Sequence, residues 1–357
     1  MIIDRYLSRE IYKPMLVVCA ILVIIFASYS ATRLLADATY GLLSAGTVCY
    51  LIALKVVIAL EVLLPMTLYL SIVVGLGRLY SDSEITAMLT CGIRERRIFK
   101  VVLLAAMMVS ILVAGLSLYI RPLAYQTSYR LKEWAAARFD ISRMDPATFY
   151  EIEQGRRVIF AEEIDQQARR ARQVFIQTQE EQSIQVITAR EAYQQSTGKN
   201  GTDTLVFLNG DLHEISLTSG GDTSIEFKEY LLSLSPPTAT QLYKTKAADT
   251  MELIRNPTPD ATAELQWRFS APLTAILLAL LGIPLSQTKP RRSKYAKVVT
   301  AVLIYAVYYT VSLTTKTWIR QGVIGSIPGL WGVLMLLAAL LLLLSAKPAL
   351  LLRRKMY

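Results

Sequence analysis

Three basic residues at the ends of apolar runs are the side chains of this sequence best suited to bind a ligand. Arg33 follows a run that ends near Ala31, and Lys316 and Arg320 follow another run that ends at Thr315. Cations at such positions bind anionic groups, and phosphates are well suited to them. One alternative stays open, because a basic side chain at the end of a membrane span also reaches lipid headgroups without a specific ligand. The three residues are candidates for lipid or phosphate binding.

Enzymatic chemistry has few residues to draw on in this chain. The only histidine, His213, stands beside Glu214 in a strand-like segment, so a zinc site or a Ser-His-Asp triad lacks most of its members. No phosphate-binding loop of the form G-x-x-x-x-G-K-[ST] occurs, and the nearest string, at 197–200, lacks the leading glycine and the final Ser or Thr. We expect no catalytic residue, no metal site and no cofactor bound by the chain itself.

The stretch 81–97 has a different potential role, as a docking surface. Ser81 and Glu84 have the S-x-x-E spacing of a capping box, and Gly92 stands where a short helix needs a left-handed residue at its end. The sequence therefore predicts a surface helix over 81–92. The candidate contacts to a cytoplasmic partner are Glu84, Ile85, Met88, Leu89 and Arg94. The alternative is an ordinary surface helix between two spans, in which Glu84 is only the capping acid.

Six long apolar runs must position these residues. Each is close to the roughly 20 residues that a helix needs to cross about 30 Å of hydrocarbon. The runs are 15–31, 48–76, 101–120, 269–285, 298–315 and 327–346. The first exceeds the roughly 7 to 15 apolar residues of a signal peptide, which favours an uncleaved span. The sequence therefore predicts an α-helical membrane protein with six transmembrane helices.

Glu61 is the only carboxylate inside any of these runs, and it lies one turn before Pro65. An ionisable group at that depth usually faces a cavity or a partner. The proline interrupts the helix and leaves carbonyl groups for neighbouring helices to satisfy. Glu61 is thus a candidate functional residue without an assigned role. The alternative is a loose pair with Lys55 near the membrane surface.

The basic residues are distributed unevenly along the chain. The net charge is +10, yet residues 121–264 hold 16 Lys and Arg against 21 Asp and Glu and carry −5, so the remainder carries +15. Basic residues concentrate in alternate segments between the spans, which is a topology signal rather than a nucleic-acid surface. By the positive-inside rule both termini are cytoplasmic, and the long acidic segment lies in the periplasm of a bacterial inner membrane.

The segment between the third and fourth spans changes its periodicity. After a helical pattern over 125–139, short β-branched or aromatic stretches alternate with turn residues such as Asn209-Gly210-Asp211 and Gly220-Gly221-Asp222. This pattern favours an all-β domain of the sandwich or jelly-roll type. The expected strands are 157–161, 174–179, 183–188, 204–208, 212–217 and 224–227. Residues 240–260 are predicted to form an extended return connection.

The order of these elements resembles a known family. Three spans, an extracytoplasmic β-domain inserted between helices 3 and 4, three further spans and a surface helix after the second span are typical of the lipopolysaccharide-export permease family LptF/LptG. The resemblance covers the whole chain and is closer to the LptF branch. Its most specific strings are Asp4-Arg5-Tyr6-Leu7, Arg78-Leu79-Tyr80, Ser83-Glu84-Ile85-Thr86, Cys91-Gly92 and Ala263-Glu264-Leu265-Gln266-Trp267-Arg268.

The resemblance implies three parts and a set of partners. Residues 1–121 would form helices 1–3, with a cytoplasmic coupling helix at 81–92. Residues 122–264 would form a periplasmic β-jelly-roll with flanking stalks. Residues 265–357 would form helices 4–6. The chain would pair with a second, LptG-like permease and a dimeric, LptB-like cytoplasmic ATPase. That ATPase would bind ATP and Mg, and this chain would bind no cofactor. The β-domain would hand lipopolysaccharide to an LptC-like and then an LptA-like periplasmic partner.

The resemblance also implies roles for single residues. In the family the surface helix docks in a groove of the ATPase, so Glu84 would be a contact residue. The first and fifth spans form lateral gates to a cavity where lipid phosphates meet cations. Arg33 and Lys316 match such positions, whereas Arg320 is supported by its place in the sequence alone.

The function implied is ATP-driven export of lipopolysaccharide from the inner membrane toward the outer membrane, without enzymatic activity in this chain and without nucleic acid. An alternative from another class is a membrane-anchored scaffold, whose β-domain recruits periplasmic partners without moving lipid. A coupling helix would be superfluous in a scaffold, which favours the exporter.

Overall fold

The computed structural model of the chain describes residues 2–39, 45–137, 146–152, 157–165, 170–179, 183–196, 203–216, 222–233, 245–287 and 294–353. The chain divides into two compact units. The helical unit comprises Met1–Ser30, Ile52–Thr127 and Gln241–Tyr357, and the second unit comprises Ala31–Leu51 and Ser128–Thr240.

Nine α-helices occur in the described residues. They are α1 Ile2–Thr39, α2 Ala45–Ser81, α3 Glu84–Thr90, α4 Glu95–Gly115, α5 Arg121–Ala137, α6 Thr250–Arg255, α7 Pro259–Ser286, α8 Lys294–Arg320 and α9 Gly329–Arg353. A π-helical turn, Leu116–Ile120, joins α4 to α5 without a break in the helical path. The helical pattern predicted after the third span is therefore confirmed as far as Ala137; residues 138 and 139 lie outside the described part.

Six helical segments are long and apolar enough to cross a membrane. They are Ile2–Leu35, Gly46–Ser81, Glu95–Leu131, Pro259–Ser286, Lys297–Arg320 and Gly329–Ala346. Five predicted runs lie inside these segments, and the sixth helix begins two residues later than its run, after Pro328. The prediction of six spans is confirmed.

The first two helices approach each other closely because α2 presents small residues to α1. The Ser71 hydroxyl donates a hydrogen bond to the Ile11 carbonyl. One turn later, a Cβ on Gly75 would lie 2.5 Å from the Glu10 carbonyl oxygen, so no larger residue fits there. Small residues spaced by four permit such backbone contact between membrane helices. Pro14 lacks an N–H and leaves the Glu10 carbonyl without its usual helical donor.

Two apolar cores hold the helical unit together, and α7 contributes to both. One core joins α1, α2, α3 and α4 through residues such as Leu7, Leu76, Ile85 and Val102. The other packs α2, α7, α8 and α9 around residues such as Tyr69. These contacts fix the start of α1 beside α3.

The second unit contains one antiparallel sheet in the described residues. Its strands are β1 Thr148–Ile152, β2 Arg157–Asp165, β3 Arg170–Gln179, β4 Ser183–Ser196, β5 Asp203–Ser216 and β6 Thr223–Ser233. They pair in chain order from β1 to β6. Side chains from one face, including Ile159, Ile176 and Phe207, form its apolar core. The predicted all-β domain is confirmed. The likeness to a jelly roll rests on the family resemblance, since each described strand pairs only with its neighbours in sequence.

One predicted turn in the sheet is wrong. Asn209-Gly210-Asp211 was expected to separate two strands, but it lies inside β5, where Gly210 pairs with Ala189 on one side and Phe227 on the other. Asn209 has a φ of 51°. These residues, which are typical of turns, therefore form a local left-handed distortion within the strand. A side chain on Gly210 would overlap the Thr188 carbonyl. The second predicted turn, at 220–222, lies largely outside the described residues.

The extended connection predicted for 240–260 is also wrong where it is described. α6 occupies Thr250–Arg255. α7 begins at Pro259, and the Thr258 hydroxyl accepts a hydrogen bond from the Ala261 N–H at 3.2 Å. Proline at the first helical position after a threonine cap favours helix initiation, so Asn256-Pro257 is a break between two helices rather than part of an extended chain.

Candidate functional site

The surface helix α3 begins differently from the predicted capping box. Ser81 is the last residue of α2, and two residues separate it from Glu84, the first residue of α3. The residue before α3 is Ser83, which has a φ of 60° and forms no side-chain capping bond. The S-x-x-E spacing therefore spans a turn between two helices. The reason is that α2 extends to Ser81, beyond the end of the apolar run at residue 76. The capping box is corrected to a left-handed turn at Ser83.

The end of α3 agrees with the prediction. Gly92 has a φ of 87°, in the left-handed region. Its N–H donates to the Leu89 carbonyl at 3.0 Å, and the Ile93 N–H donates to the Met88 carbonyl at 3.1 Å. These two bonds form a Schellman motif, which stops the helix and satisfies its last carbonyls.

Burial divides the predicted docking residues of α3 into two groups. Ile85 is fully buried in the core formed with α1, α2 and α4, and Leu89 packs partly against that core. Ile85 therefore cannot contact another subunit directly, and its predicted role is corrected to that of an anchor for α3. Glu84 and Met88 are half-buried, and Arg94 is exposed at the residue before α4.

Two contacts tie α3 and the first turn of α4 to the start of α1. The Tyr6 hydroxyl donates to the Glu84 carboxylate at 2.7 Å. Arg97 donates to both oxygens of Asp4 at 2.8 Å, in the paired geometry that arginine and carboxylate favour. Sequence reasoning missed both pairs, although Asp4 and Tyr6 belong to the family-specific string at the N-terminus.

The predicted phosphate-binding residues Lys316 and Arg320 lie together on α8 and face acids of α7. The Lys316 ammonium is 2.7 Å from a Glu264 oxygen, and Arg320 is 2.9 Å from Asp260. The acids are four residues apart, as are the cations, so two ion pairs form a ladder between the helices. Lys316 also stands 4.7 Å from the Trp267 ring centroid. Both cations are therefore held by carboxylates of the chain itself.

The third predicted cation, Arg33, is an exposed residue of α1. It belongs to the segment Ala31–Leu51 of the second unit, whereas Lys316 and Arg320 belong to the helical unit. The structure therefore brings two of the three predicted cations together.

Glu61 belongs to a buried network that extends from the ladder. Its carboxylate accepts a hydrogen bond from Ser117 at 2.7 Å and pairs with Arg121 at 3.1 Å. Arg121 also pairs with Glu264 at 3.1 Å, so Glu61 is linked to the carboxylate that binds Lys316. Arg121 of α5 is therefore the ion-pair partner of Glu61. Lys55, the alternative partner considered from the sequence, lies on α2 together with Glu61.

Arg268 completes the network and fixes the chain that precedes α7. It is fully buried and lies 3.4 Å from Glu264. Its other donors reach the Thr250 hydroxyl and the Ala248 carbonyl, each at 2.9 Å. Burial lowers the pKa of the neighbouring Lys246, which stands 5.8 Å from the Tyr125 ring centroid. The network of Glu61, Arg121, Glu264, Arg268 and Lys316 holds three cations and two carboxylates, a net charge of +1 when all are ionised.

A cavity of about 40 Å³ lies beside this network. It is lined by Glu61, Trp267 and the three tyrosines Tyr305, Tyr308 and Tyr309, among others. The Tyr305 hydroxyl donates to the Val62 carbonyl at 3.2 Å, close to Pro65. The predicted interruption at Pro65 is wrong, because α2 continues through this residue as far as Ser81. The stacked rings of Tyr305 and Tyr309 serve packing. The lining of this cavity is mostly apolar.

The remaining chemistry is sparse. No group of three or more His, Cys, Asp or Glu residues capable of holding a metal occurs among the described residues. His213 is exposed on β5. The charged side chains described above link helices of the helical unit through ion pairs.

Comparisons with known proteins agree with this geometry. The family model described as "Lipopolysaccharide export system permease LptF/LptG" matches residues 5–347. Three similar proteins are the lipopolysaccharide export system permease proteins LptF of Escherichia coli strain K12, Escherichia coli O157:H7 and Shigella flexneri. Each is 26% identical over 350 residues, which cover 95% of this chain and 93% of the relative. This multi-pass inner-membrane chain therefore belongs to the LptF/LptG family of lipopolysaccharide export permeases.

Proposed function

We propose that this chain is the permease subunit of an ATP-driven exporter, which extracts lipopolysaccharide from the inner membrane and passes it through its β-domain toward the outer membrane. Removing a lipid with several acyl chains exposes many methylene groups, at about 0.8 kcal/mol each. An external energy source is therefore needed. A dimeric, LptB-like cytoplasmic ATPase supplies it and binds ATP and Mg, while this chain binds no cofactor and catalyses no reaction.

The observation that carries this proposal is the way α3 is built. Its buried anchor Ile85, its Schellman end and the Tyr6–Glu84 bond make a rigid projection from the helical unit. Glu84, Met88, Leu89 and Arg94 contact the ATPase in this proposal. A rigid helix transmits movement, whereas a mere connection between spans needs no tie to α1.

A second, LptG-like permease completes the membrane part in this proposal. Apolar side chains are exposed along α1, such as Leu16 and Ile24, and along α8, such as Leu303 and Val307. Such surfaces suit either lipid or another apolar protein. We assign these helices to lateral gates, through which lipopolysaccharide enters between the two permeases.

Lys316, Arg320 and Arg33 bind phosphates of the lipid in this proposal. In the structure Glu264 and Asp260 pair with Lys316 and Arg320 at hydrogen-bonding distance. A phosphate is an anion with several acceptor oxygens, so it can take the place of these carboxylates. Glu264 remains paired with Arg121 and Arg268 when Lys316 binds the lipid phosphate.

The β-domain delivers the lipid to an LptC-like and then an LptA-like partner. β1 and β6 are the outermost of the described strands, and they carry the exposed side chains Phe149 and Leu231. An outer strand offers backbone groups to a strand of another protein, and the apolar side chains offer contact to lipid tails. In this proposal both termini are cytoplasmic, and the β-domain is periplasmic, in agreement with the distribution of basic residues.

Co-purification with the ATPase tests the proposal. We expect Glu84→Ala to lose most of the bound ATPase, and Tyr6→Phe to lose part of it, because the hydroxyl holds Glu84 in place. Glu95→Ala is the matched control, since this exposed carboxylate lies just beyond the end of α3. All variants are first checked for membrane insertion.

The outcome also separates the exporter from the scaffold. Loss of the ATPase in Glu84→Ala but not in Glu95→Ala supports α3 as a coupling helix. If the wild-type chain retains no ATPase at all, the scaffold that recruits periplasmic partners replaces the exporter.

A further inference from the structure

A groove of about 1190 Å³ lies between the start of α1 and the start of α4, on different helices from the proposed phosphate-binding residues Lys316 and Arg320. Its rim is basic and comes from the turn after α3 and the first residues of α4. The rim residues are Arg94, Arg96, Arg97 and Lys100. Its deeper wall is apolar and includes Tyr12, Val101, Leu104 and Met108.

The walls of this groove are fixed by contacts between α1 and α4. The Asp4–Arg97 pair joins the helices at one end. The Tyr12 hydroxyl donates to the Met108 sulfur at 3.6 Å further along. The groove is thus formed by two helices that are already in contact, and a ligand does not have to separate them.

Three of the four rim cations are not balanced by an ion pair within the described residues. Asp4 neutralises Arg97. Arg96 and Lys100 are exposed and form no ion pair with any described residue, and the same holds for Arg94. These cations attract an anion from outside the chain.

The apolar wall continues directly from the basic rim. Lys100, Leu104 and Met108 follow one another at intervals of four residues and therefore lie in one row along α4. Leu104 is 68% exposed and Met108 is 66% exposed, inside a segment that can cross the membrane. The row therefore offers a charged end followed by an apolar strip that is open to lipid.

We infer that this groove binds an anionic glycerophospholipid, with its phosphate against Arg96 and Lys100 and an acyl chain along Leu104 and Met108. Basic pockets between membrane helices bind such headgroups. A soluble protein would cover the rim but not an apolar strip at membrane depth. A zwitterionic lipid brings its own cation next to Arg96 and Lys100, so a net negative headgroup is favoured.

Native mass spectrometry of the detergent-purified chain tests this inference. The probes are dioleoylphosphatidylglycerol and dioleoylphosphatidylcholine, titrated separately. We expect the wild type to prefer the anionic lipid, and Arg96→Gln/Lys100→Gln to bind it about 25-fold more weakly, since each basic residue contributes a factor of about five near an anionic surface. Arg5→Gln/Arg9→Gln is the matched control, because these exposed cations belong to the same end of the helical unit but do not line the groove.

A second measurement locates the lipid and does not depend on removing charges. Leu104→Trp adds a tryptophan to the strip, and its extra fluorescence is quenched by brominated lipids in vesicles. We expect brominated phosphatidylglycerol to quench it more strongly than brominated phosphatidylcholine. Equal affinity for the two lipids, or equal loss in both double variants, overturns the inference. Weak quenching by both lipids would mean that protein rather than lipid covers the groove, and this result also overturns the inference.

Discussion

Glu264 is the residue on which the buried charge of the helical unit converges. Its carboxylate is 3% exposed and lies within 3.4 Å of nitrogens from Arg121, Arg268 and Lys316. Three cations brought out of water have a large desolvation cost, which carboxylates within hydrogen-bonding distance offset. The side chain of Glu264 therefore stabilises parts of the chain that are far apart in sequence.

Replacing this one carboxylate is expected to lower the stability of the helical unit strongly. Glu264→Gln keeps the size of the side chain but leaves buried cations without their counter-charge, which costs about 3 to 5 kcal/mol. Unfolding in detergent, followed by circular dichroism, measures the loss. Glu252→Gln, at an exposed position of α6, is the control. An equal midpoint for the two variants would contradict the importance of the network.

Sequence reasoning identified single residues of the candidate sites but not their partners. It selected Glu61, Lys316 and Glu84 from their positions relative to apolar runs and caps. Their partners are Arg121, Glu264 and Tyr6, which are 60, 52 and 78 residues away in sequence. Sequence spacing predicts contacts only between residues within a few turns of the same helix. Contacts between residues of different helices depend on how the helices pack, so they require the structure.

At the scale of elements, α3 shows which boundaries a sequence reveals. The glycine at its end was predictable, because glycine adopts the left-handed conformation without steric cost. Its start was not, because Ser83 is left-handed in spite of its side chain, and the preceding helix extends to Ser81. The six spans were predictable for a simpler reason, since the length of an apolar run is independent of packing.

Two glycines of this region allow backbone strain to be separated from crowding. A Cβ on Gly92 or on Gly115 would meet no atom within 4 Å, but Gly92 has a φ of 87° and Gly115 a φ of −60°. Gly92→Ala is therefore expected to destabilise the end of α3 by about 1 to 2 kcal/mol, whereas Gly115→Ala is tolerated.

Amide hydrogen exchange over 84–93 measures this difference. We expect faster exchange in Gly92→Ala and unchanged exchange in Gly115→Ala. Equal protection in both variants would mean that the Schellman motif does not hold the helix.

At the scale of the whole molecule, the proposed transport would require the ion pairs between α7 and α8 to exchange partners. In the structure Lys316 binds Glu264, and in the proposed complex with lipid it would bind a lipid phosphate instead. The same ammonium serves both anions, so binding of the lipid and separation of the ion pair are linked.

Lys316→Gln tests this exchange. We expect retention of lipopolysaccharide to weaken by about 10- to 100-fold, because a hydrogen bond to a charged group contributes about 1.5 to 3 kcal/mol. Lys297→Gln, at the opposite end of α8, is the control. Retention of lipopolysaccharide lacking lipid A phosphates is expected to be weak and equal in wild type and Lys316→Gln. A variant that discriminates between the two lipids as strongly as the wild type would refute the role of Lys316.

The open sheet has a consequence for how the protein is produced in a cell. Among the described strands β1 and β6 each have one side without a neighbouring strand, and each carries an exposed apolar side chain. Such borders associate with one another when no proper partner is present. If the proposed assembly is right, copies synthesised in excess of their periplasmic partners would aggregate through their sheets, so balanced synthesis of the components would protect this protein from loss.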